Sequence, residues 1–343
     1  MTRPGAAAIT GAEPLTRFQR ELEAELERWT HADDEAALDP LWSQAKAVLA
    51  EFTLRPAKRV RPMLTALGWL AARPSARRLP KRVVRFAAGL ELLHTFMLVH
   101  DDVADRGTTR RGGPCLHHLL GCGRLGEDLA IVLGDHLYAR AMEAMFVAPG
   151  PAAYVLEICR HTAAGQHLDL VLARAPFTEA TLFRTLKVAE LKTARYGFVA
   201  PLVCGAMLAG AGAATLDALK RAGRHAGLAY QLRDDLIGLF GDERVAGKAA
   251  GGDFLEGKRT FPVIAAWTRA SASGRADLEA LWRDRDPTRL SEACAAVTRW
   301  GGAAATERVI DARTRAALKA LEGFGAAAAG LEALVRSLAR RAA

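Results

Sequence analysis

Three features of the sequence predict an all-α chain. Alanine dominates, while Phe, Trp and Tyr total only 6% of the 343 residues, a composition that favours helix. Apolar residues return every three or four positions through long windows. No window shows the sustained period-two alternation of a strand.

Half of the residues are hydrophobic, enough for a substantial core. No Pro/Gly/Ser-rich linker or internal repeat divides the chain, so one domain over 1–343 is expected, with 1–12 a loose N-terminal tail. The net charge is +9, yet basic residues are scattered among acids with no basic tract or interleaved aromatics. That pattern speaks against a nucleic-acid partner and for attraction of an anionic small molecule. Five cysteines at irregular spacing suit a reduced, cytoplasmic protein. The run Cys115-Leu-His-His118-Leu-Leu-Gly-Cys122 lacks paired C-x-x-C spacing and makes a poor zinc site. Tyr196–Leu216 carries no charge and is long enough to span a bilayer, but its glycines, proline and alanines predict a tightly packed buried helix and no stable membrane insertion.

Taken in order, Leu15, Phe18, Leu22, Leu26 and Trp29 recur at helical spacing and predict an amphipathic first helix. Asp39-Pro40 starts a second that runs to about Thr53. The basic turn Arg55-Pro-Ala-Lys58-Arg59-Val-Arg61-Pro62 leads into a helix over Met63–Ala72; cations opposing a helix N-terminus suit a bound anion. A central helix spans about Lys81–Asp105 and ends in the Gly-rich loop 106–114. Further helices are predicted over Leu125–Phe146, Ala152–Ala173, Thr178–Tyr196, the uncharged stretch to Gly212, and Leu216–Phe240. A Gly-rich basic loop, Gly241–Thr260, precedes alanine-rich helices near 265–272, 276–283, 290–300, 306–321 and 327–340.

The central helix poses an electrostatic problem. Asp101, Asp102 and Asp105 lie at its C-terminal end, against the negative pole of the helix dipole. They also adjoin a face that should be buried, where an unpaired charge is costly. Arg110 and Arg111 or a bound Mg²⁺ could meet them. Asp101 and Asp105 are four apart and share a face, about 6 Å apart along the axis, where hard oxygen ligands suit Mg²⁺ shared with substrate phosphates. A second Asp pair, Asp234-Asp235, closes another apolar run. Lys58, Arg61, Arg110, Arg111, Lys192, Lys248 and Lys258 stand at helix ends or in loops and together suggest a site for two polyanions.

These residues form an ordered set: Lys58-Arg59-Val-Arg61-Pro62, Glu91-Leu-Leu-His94, Asp101-Asp102-x-x-Asp105 with Arg110-Arg111-Gly112, Gly134-Asp135, Gly165-Gln166-x-x-Asp169-Leu170, Lys192-Thr193, Gln231-x-x-Asp234-Asp235, and Gly247-Lys248 through Gly257-Lys258-Arg259. The set resembles the trans-isoprenyl diphosphate synthases of the polyprenyl synthetase family, of the short-chain farnesyl or geranylgeranyl type. The resemblance implies a single-domain isoprenoid-synthase-like helical bundle around a deep central cavity, with the aspartate pairs facing each other across its mouth. It implies a homodimer and condensation of isopentenyl diphosphate with an allylic prenyl diphosphate. It also implies three Mg²⁺ per active site, held by Asp101, Asp102, Asp105, Asp234 and Asp235. Arg110, Lys192 and Lys258 would grip the allylic diphosphate with Lys248 nearby, and Lys58, Arg61, His94 and Arg111 would hold isopentenyl diphosphate. Thr193, Gln166, Gln231 and Asp169 would lie along the reaction path.

Phe96 and Met97, bulky residues just before Asp101, imply by the same resemblance a short C15 or C20 product. Two positions depart from the family pattern. Gly238 stands where a third aspartate often follows Asp234, which predicts weakened but retained metal binding, and Asp242 is another acid further along. Pro56-Ala57 replaces the usual Gly-Gly before Lys58. A terpene synthase would lack Lys58, Arg61 and Arg111 and carry an Asn/Ser/Glu metal triad; a non-catalytic partner subunit would have lost its aspartates or basic contacts.

Overall fold

Helix dominates because its apolar stripes find partners. The computed structural model describes residues 13–31, 38–121, 123–241 and 251–340. The chain divides into two units, Met1–Tyr154 with Pro201–Ala211, and Val155–Ala200 with Gly212–Ala343.

In the first unit, α1 (Glu13–His31) buries Leu15, Phe18, Leu22, Leu26 and Trp29, the stripe expected from spacing alone. Each buried side chain of this kind contributes roughly 1.5–3 kcal/mol. Asp39 caps α2 (Pro40–Leu54) by accepting the Leu41 N–H, and Pro40 fills the first turn where its missing N–H costs nothing. Helix α3 (Val60–Ala72) begins after Arg59, held in the left-handed region at φ 44°. Helix α4 (Lys81–Ala104) is the centre of this unit, with Phe86, Leu90, Leu92 and Leu93 buried. It is long and apolar enough to cross a membrane, but most of its apolar stretch is buried inside the protein, as a core helix requires.

The loop after α4 is tighter than its glycines suggest. Thr109–Arg110 (β1) pairs antiparallel with Gly113–Pro114 (β2) in a small hairpin, followed by the short α5 (Leu116–Leu120). Helix α6 (Arg124–Met145) then packs along α4, and α7 (Pro149–Leu172) follows.

The second unit adds α8 (Leu182–Val188), a π-helix over Ala189–Val199, and α10 (Ala213–Phe240), while α9 (Ala200–Leu208) returns to the first unit from Pro201 onward. Sequence periodicity predicts one plain helix over 178–196. The α-helix holds over Leu182–Val188 and the π-helix takes over from Ala189, because i→i+5 bonding is decided by packing against neighbours. Helix α10 packs on the π-helix and on α15 (Gly302–Lys319). The remaining elements are α11 (Gly252–Leu255), α12 (Phe261–Arg269), α13 (Ala272–Asp284), α14 (Leu290–Arg299) and α16 (Ala329–Ala339). Their core gathers Phe254, Val263, Ile264, Leu278, Leu281, Trp282 and Val297.

The uncharged stretch is a buried packing element, as its composition predicts. Gly205 on α9 lies so close to α3 that a Cβ there would stand 2.0 Å from the Thr65 carbonyl oxygen. Only glycine fits that crossing.

Candidate active site

In the first unit, the acid end of α4 is met by the hairpin. Asp102 is 1% exposed, and the Arg110 guanidinium donates to its carboxylate, with Nε 3.0 Å from Oδ1 and 3.1 Å from Oδ2. Burial works against the Arg110 charge, but Asp102 and then Asp101 outweigh it and raise its pKa. Asp102 also receives a hydrogen bond from Cys115, whose thiol is pushed up to about 12 by burial and by Asp102. Cys122 lies outside the described residues. Asp101 and Asp105 stay half-exposed at the end of the helix, one turn apart, with the Asp105 N–H donating to the Asp101 carbonyl at 2.8 Å.

The basic turn and the hairpin are tied together by one buried acid. Glu91, 1% exposed on α4, accepts from Arg59 Nη1 at 2.8 Å and from Arg111 Nη2 at 2.9 Å. Arg111 Nη1 donates to the Thr53 carbonyl at 3.1 Å, and Arg55 Nη1 donates to the carbonyls of Arg110 and Pro114 at 3.2 and 2.7 Å. Arg59 and Arg111 both take positive φ, 44° and 55°. These strained turns persist because their guanidiniums are over-determined by buried partners.

Positive charge concentrates on His94, about one turn beyond Glu91 on α4. Burial first, then Arg61, Arg111, Arg110 and Arg59, hold its pKa well below the usual histidine value. Arg111 is itself lowered, by burial and by crowding from Arg59, Arg110 and Arg61, with Glu91 a partial offset. A neutral imidazole among four guanidiniums is a ready anion site. Lys58 is exposed in the turn before α3, and Arg61 is half-buried in its first turn.

This environment has a pH consequence. The unfolded chain protonates His94 near pH 6.5, whereas the folded site resists. The histidine's stabilising contribution is therefore complete above about pH 6.5 and is lost as pH falls below it, by up to about 1.4 kcal/mol per pH unit. Urea midpoints measured from pH 7.5 to pH 5 are expected to fall more steeply for wild type than for His94→Gln.

In the second unit, Gln166 and Asp169 lie on α7, Lys192 and Thr193 on the π-helix, and Gln231, Asp234 and Asp235 on α10. Gly165 brings α7 against the π-helix: a Cβ there would stand 2.5 Å from the Lys192 nitrogen. That approach lets Lys192 Nζ reach Asp169 Oδ2 at 2.8 Å. Thr193 donates to Gln231 Oε1 at 2.5 Å, and Gln231 Nε2 donates to Asp235 Oδ1 at 2.8 Å, a continuous chain from hydroxyl to carboxylate. Burial, then the charges of Asp253, Asp234 and Asp169, hold Asp235 well above the usual carboxylate range despite the Gln231 bond. Lys258 pairs with Glu256. Lys248 and Asp242 lie outside the described residues.

The donor set fits a hard divalent cation. Among the described residues, no three His, Cys, Asp or Glu side chains form a closed metal group. Half-exposed carboxylates at Asp101, Asp105 and Asp234, with Asp235 buried behind Gln231, are hard oxygen donors of the kind Mg²⁺ takes when phosphate and water complete its octahedron. Two residues essential to this geometry carry no assigned role in the motifs: Glu91 and Arg59. The available signal is an acid inside the otherwise apolar run of α4.

Residues 43–298 match the family model described as Polyprenyl synthetase. A short chain isoprenyl diphosphate synthase of Methanothermobacter thermautotrophicus is 32% identical over 271 residues, covering 77% of this chain and 80% of that one. A geranylgeranyl diphosphate synthase of Mycobacterium tuberculosis is 38% identical over 245 residues, covering 68% and 67%. Among solved structures, a geranylgeranyl pyrophosphate synthase from Corynebacterium glutamicum, complexed with isoprenyl diphosphate and magnesium, superposes with a TM-score of 0.86 at 28% identity over 96% of this chain and 99% of that one. With paired acids on two helices, a cationic cluster around His94 and matches of this extent, the chain belongs to the polyprenyl synthetase family.

Proposed function

We propose that the chain is a prenyltransferase, a trans-prenyl diphosphate synthase that condenses isopentenyl diphosphate head-to-tail with an allylic prenyl diphosphate to give a C15 or C20 product. The observation that carries this reading is the cluster of guanidiniums around neutral His94 on the same helix as the Asp101/Asp105 pair. Relatives named as farnesyl and geranylgeranyl diphosphate synthases support the product class.

Isopentenyl diphosphate is held by Lys58, Arg61, Arg111 and His94, whose neutral ring serves as a hydrogen-bond donor. Lys192, Lys258 and Lys248 hold the allylic diphosphate, and Arg110 positions the Asp-rich end of α4 through Asp102. Asp101, Asp105, Asp234 and Asp235 would hold Mg²⁺, three ions in all. Held there, Mg²⁺ would supply the positive charge that makes diphosphate a competent leaving group. Thr193 and Gln231 present oxygen atoms toward positive charge developing on the allylic carbons, and apolar walls keep water from capturing it. The isopentenyl double bond attacks, and the departing diphosphate takes the released proton, so no side-chain nucleophile is needed. Ordering two substrates contributes much of the rate.

Chain length is set beneath Asp101. Met97 lies one turn below it on nearly the same face. Phe96 packs toward α6, its ring 4.6 Å from His100 and 5.3 Å from Tyr138. The double variant Phe96→Ala/Met97→Ala is expected to shift the product distribution longer by at least one C5 unit, read by chromatography of the dephosphorylated alcohols. An unchanged distribution would refute the ruler.

Residues 1–343 act as one functional domain. Helix α6 leaves Leu125, Leu129 and Val132 exposed at helical spacing, at 65%, 39% and 55%, an apolar stripe that supports a homodimer. The described cysteines are free thiols, which supports a cytoplasmic location. The decisive assay incubates purified protein with Mg²⁺, isopentenyl diphosphate and each allylic primer. Elongated diphosphates support the synthase; hydrocarbons from primer alone would mean a terpene synthase; turnover only with a second protein would mean a partner subunit.

A further inference from the structure

Position 238 is four residues beyond Asp234, on the same face of α10 and one turn further along. It holds glycine, so α10 itself offers no third acid there. The space beside it is nevertheless taken. A Cβ built on Gly238 would stand 2.4 Å from Oδ2, 2.7 Å from Cγ and 3.0 Å from Oδ1 of Asp253. The Asp253 carboxylate therefore occupies the volume in which a side chain on residue 238 would begin, and it would have to shift if one were present.

Asp253 is delivered there by a rigid support. Helix α11 packs on α10. Its Phe254 is fully buried, with its ring edge-on to Trp282 at 5.0 Å. Trp282 Nε1 donates to the Lys258 carbonyl at 2.9 Å, and the Lys258 N–H donates to the Asp253 carbonyl at 2.8 Å. Gly251, at φ 70°, makes the turn that starts the helix. Asp253 on α11 thus stands beside the helix that carries Asp234 and Asp235, and a bound cation would offset the mutual repulsion of such acids.

We propose that Asp253 supplies the third carboxylate of the second metal-binding cluster, entering from α11 the place that Gly238 leaves on α10. The proposal rests on the synthase reading above. It changes what Gly238 means: the cluster keeps three acids, one of them contributed by a different element.

The test titrates Mn²⁺ with inorganic diphosphate into the full-length protein and reads affinity by calorimetry and the metal-dependent rise in Tm. Near-isosteric Asp253→Asn is expected to weaken Mn²⁺ about 10–100-fold, with a metal-free Tm equal to or above wild type. Asp253→Gly/Gly238→Asp returns the acid to α10 and is expected to bind more tightly than Asp253→Gly alone. Wild-type affinity in Asp253→Asn would overturn the proposal, as would a fall in metal-free Tm with the metal-dependent rise intact, which marks a structural residue only. If wild type elongates an allylic primer while Asp253→Asn binds Mn²⁺ normally, this proposal alone fails. If wild type neither elongates a primer nor binds Mn²⁺ with diphosphate, both fail.

Discussion

Asp101→Ala and Asp105→Ala are each expected to reduce turnover by about 10³-fold, an increase of about 4 kcal/mol in the barrier. Each removes one of two hard oxygens that share a face at the end of α4. Neither carboxylate is buried, so folding survives. Asp102→Asn should behave differently. Asp102 is buried beneath Arg110 and receives its guanidinium, so its loss releases the hairpin and lowers stability as well as turnover. Single-turnover rates at saturating Mg²⁺, set beside thermal melts without metal, separate the two classes. A stable Asp101→Ala protein with near wild-type turnover would refute the assignment.

Glu91→Gln is expected to cost about 3–5 kcal/mol of stability, because it leaves two buried guanidiniums without their shared counter-charge. Arg59 and Arg111 both bond Glu91 Oε1, and both sit in left-handed backbone that their side-chain contacts hold in place. Release of either turn moves Lys58, Arg61 and Arg111 out of register. KM for isopentenyl diphosphate should therefore rise even where the variant still folds. Urea denaturation gives the first effect and steady-state kinetics the second. A variant as stable as wild type would show that Glu91 is replaceable.

Much of the fold was legible before any coordinates. The stripe from Leu15 to Trp29, the proline-started α2 and the central helix ending at the three aspartates all appear where spacing and punctuation predict them, because local periodicity fixes which face a helix buries. The π-helix over Ala189–Val199, the hairpin between Thr109 and Pro114, and the short α11 were not legible. Their bonding is decided by neighbours distant in sequence, and their residues satisfy a helix or loop pattern equally well.

The site divides along the same line. Residue identities at Asp101, Asp105, Lys192, Thr193, Gln231 and Asp234 point to diphosphate chemistry and to the family without a structure, since the chemistry demands those groups and the chain order preserves them. Arg110, expected from sequence as a substrate grip, also donates to Asp102; only three-dimensional proximity shows that the second acid of the pair meets the hairpin. Glu91 gains its role, and Gly238 its neighbour Asp253, in the same way. Sequence fixes which charges the chain carries, whereas burial and distance decide which of them meet each other and which remain for substrate and metal.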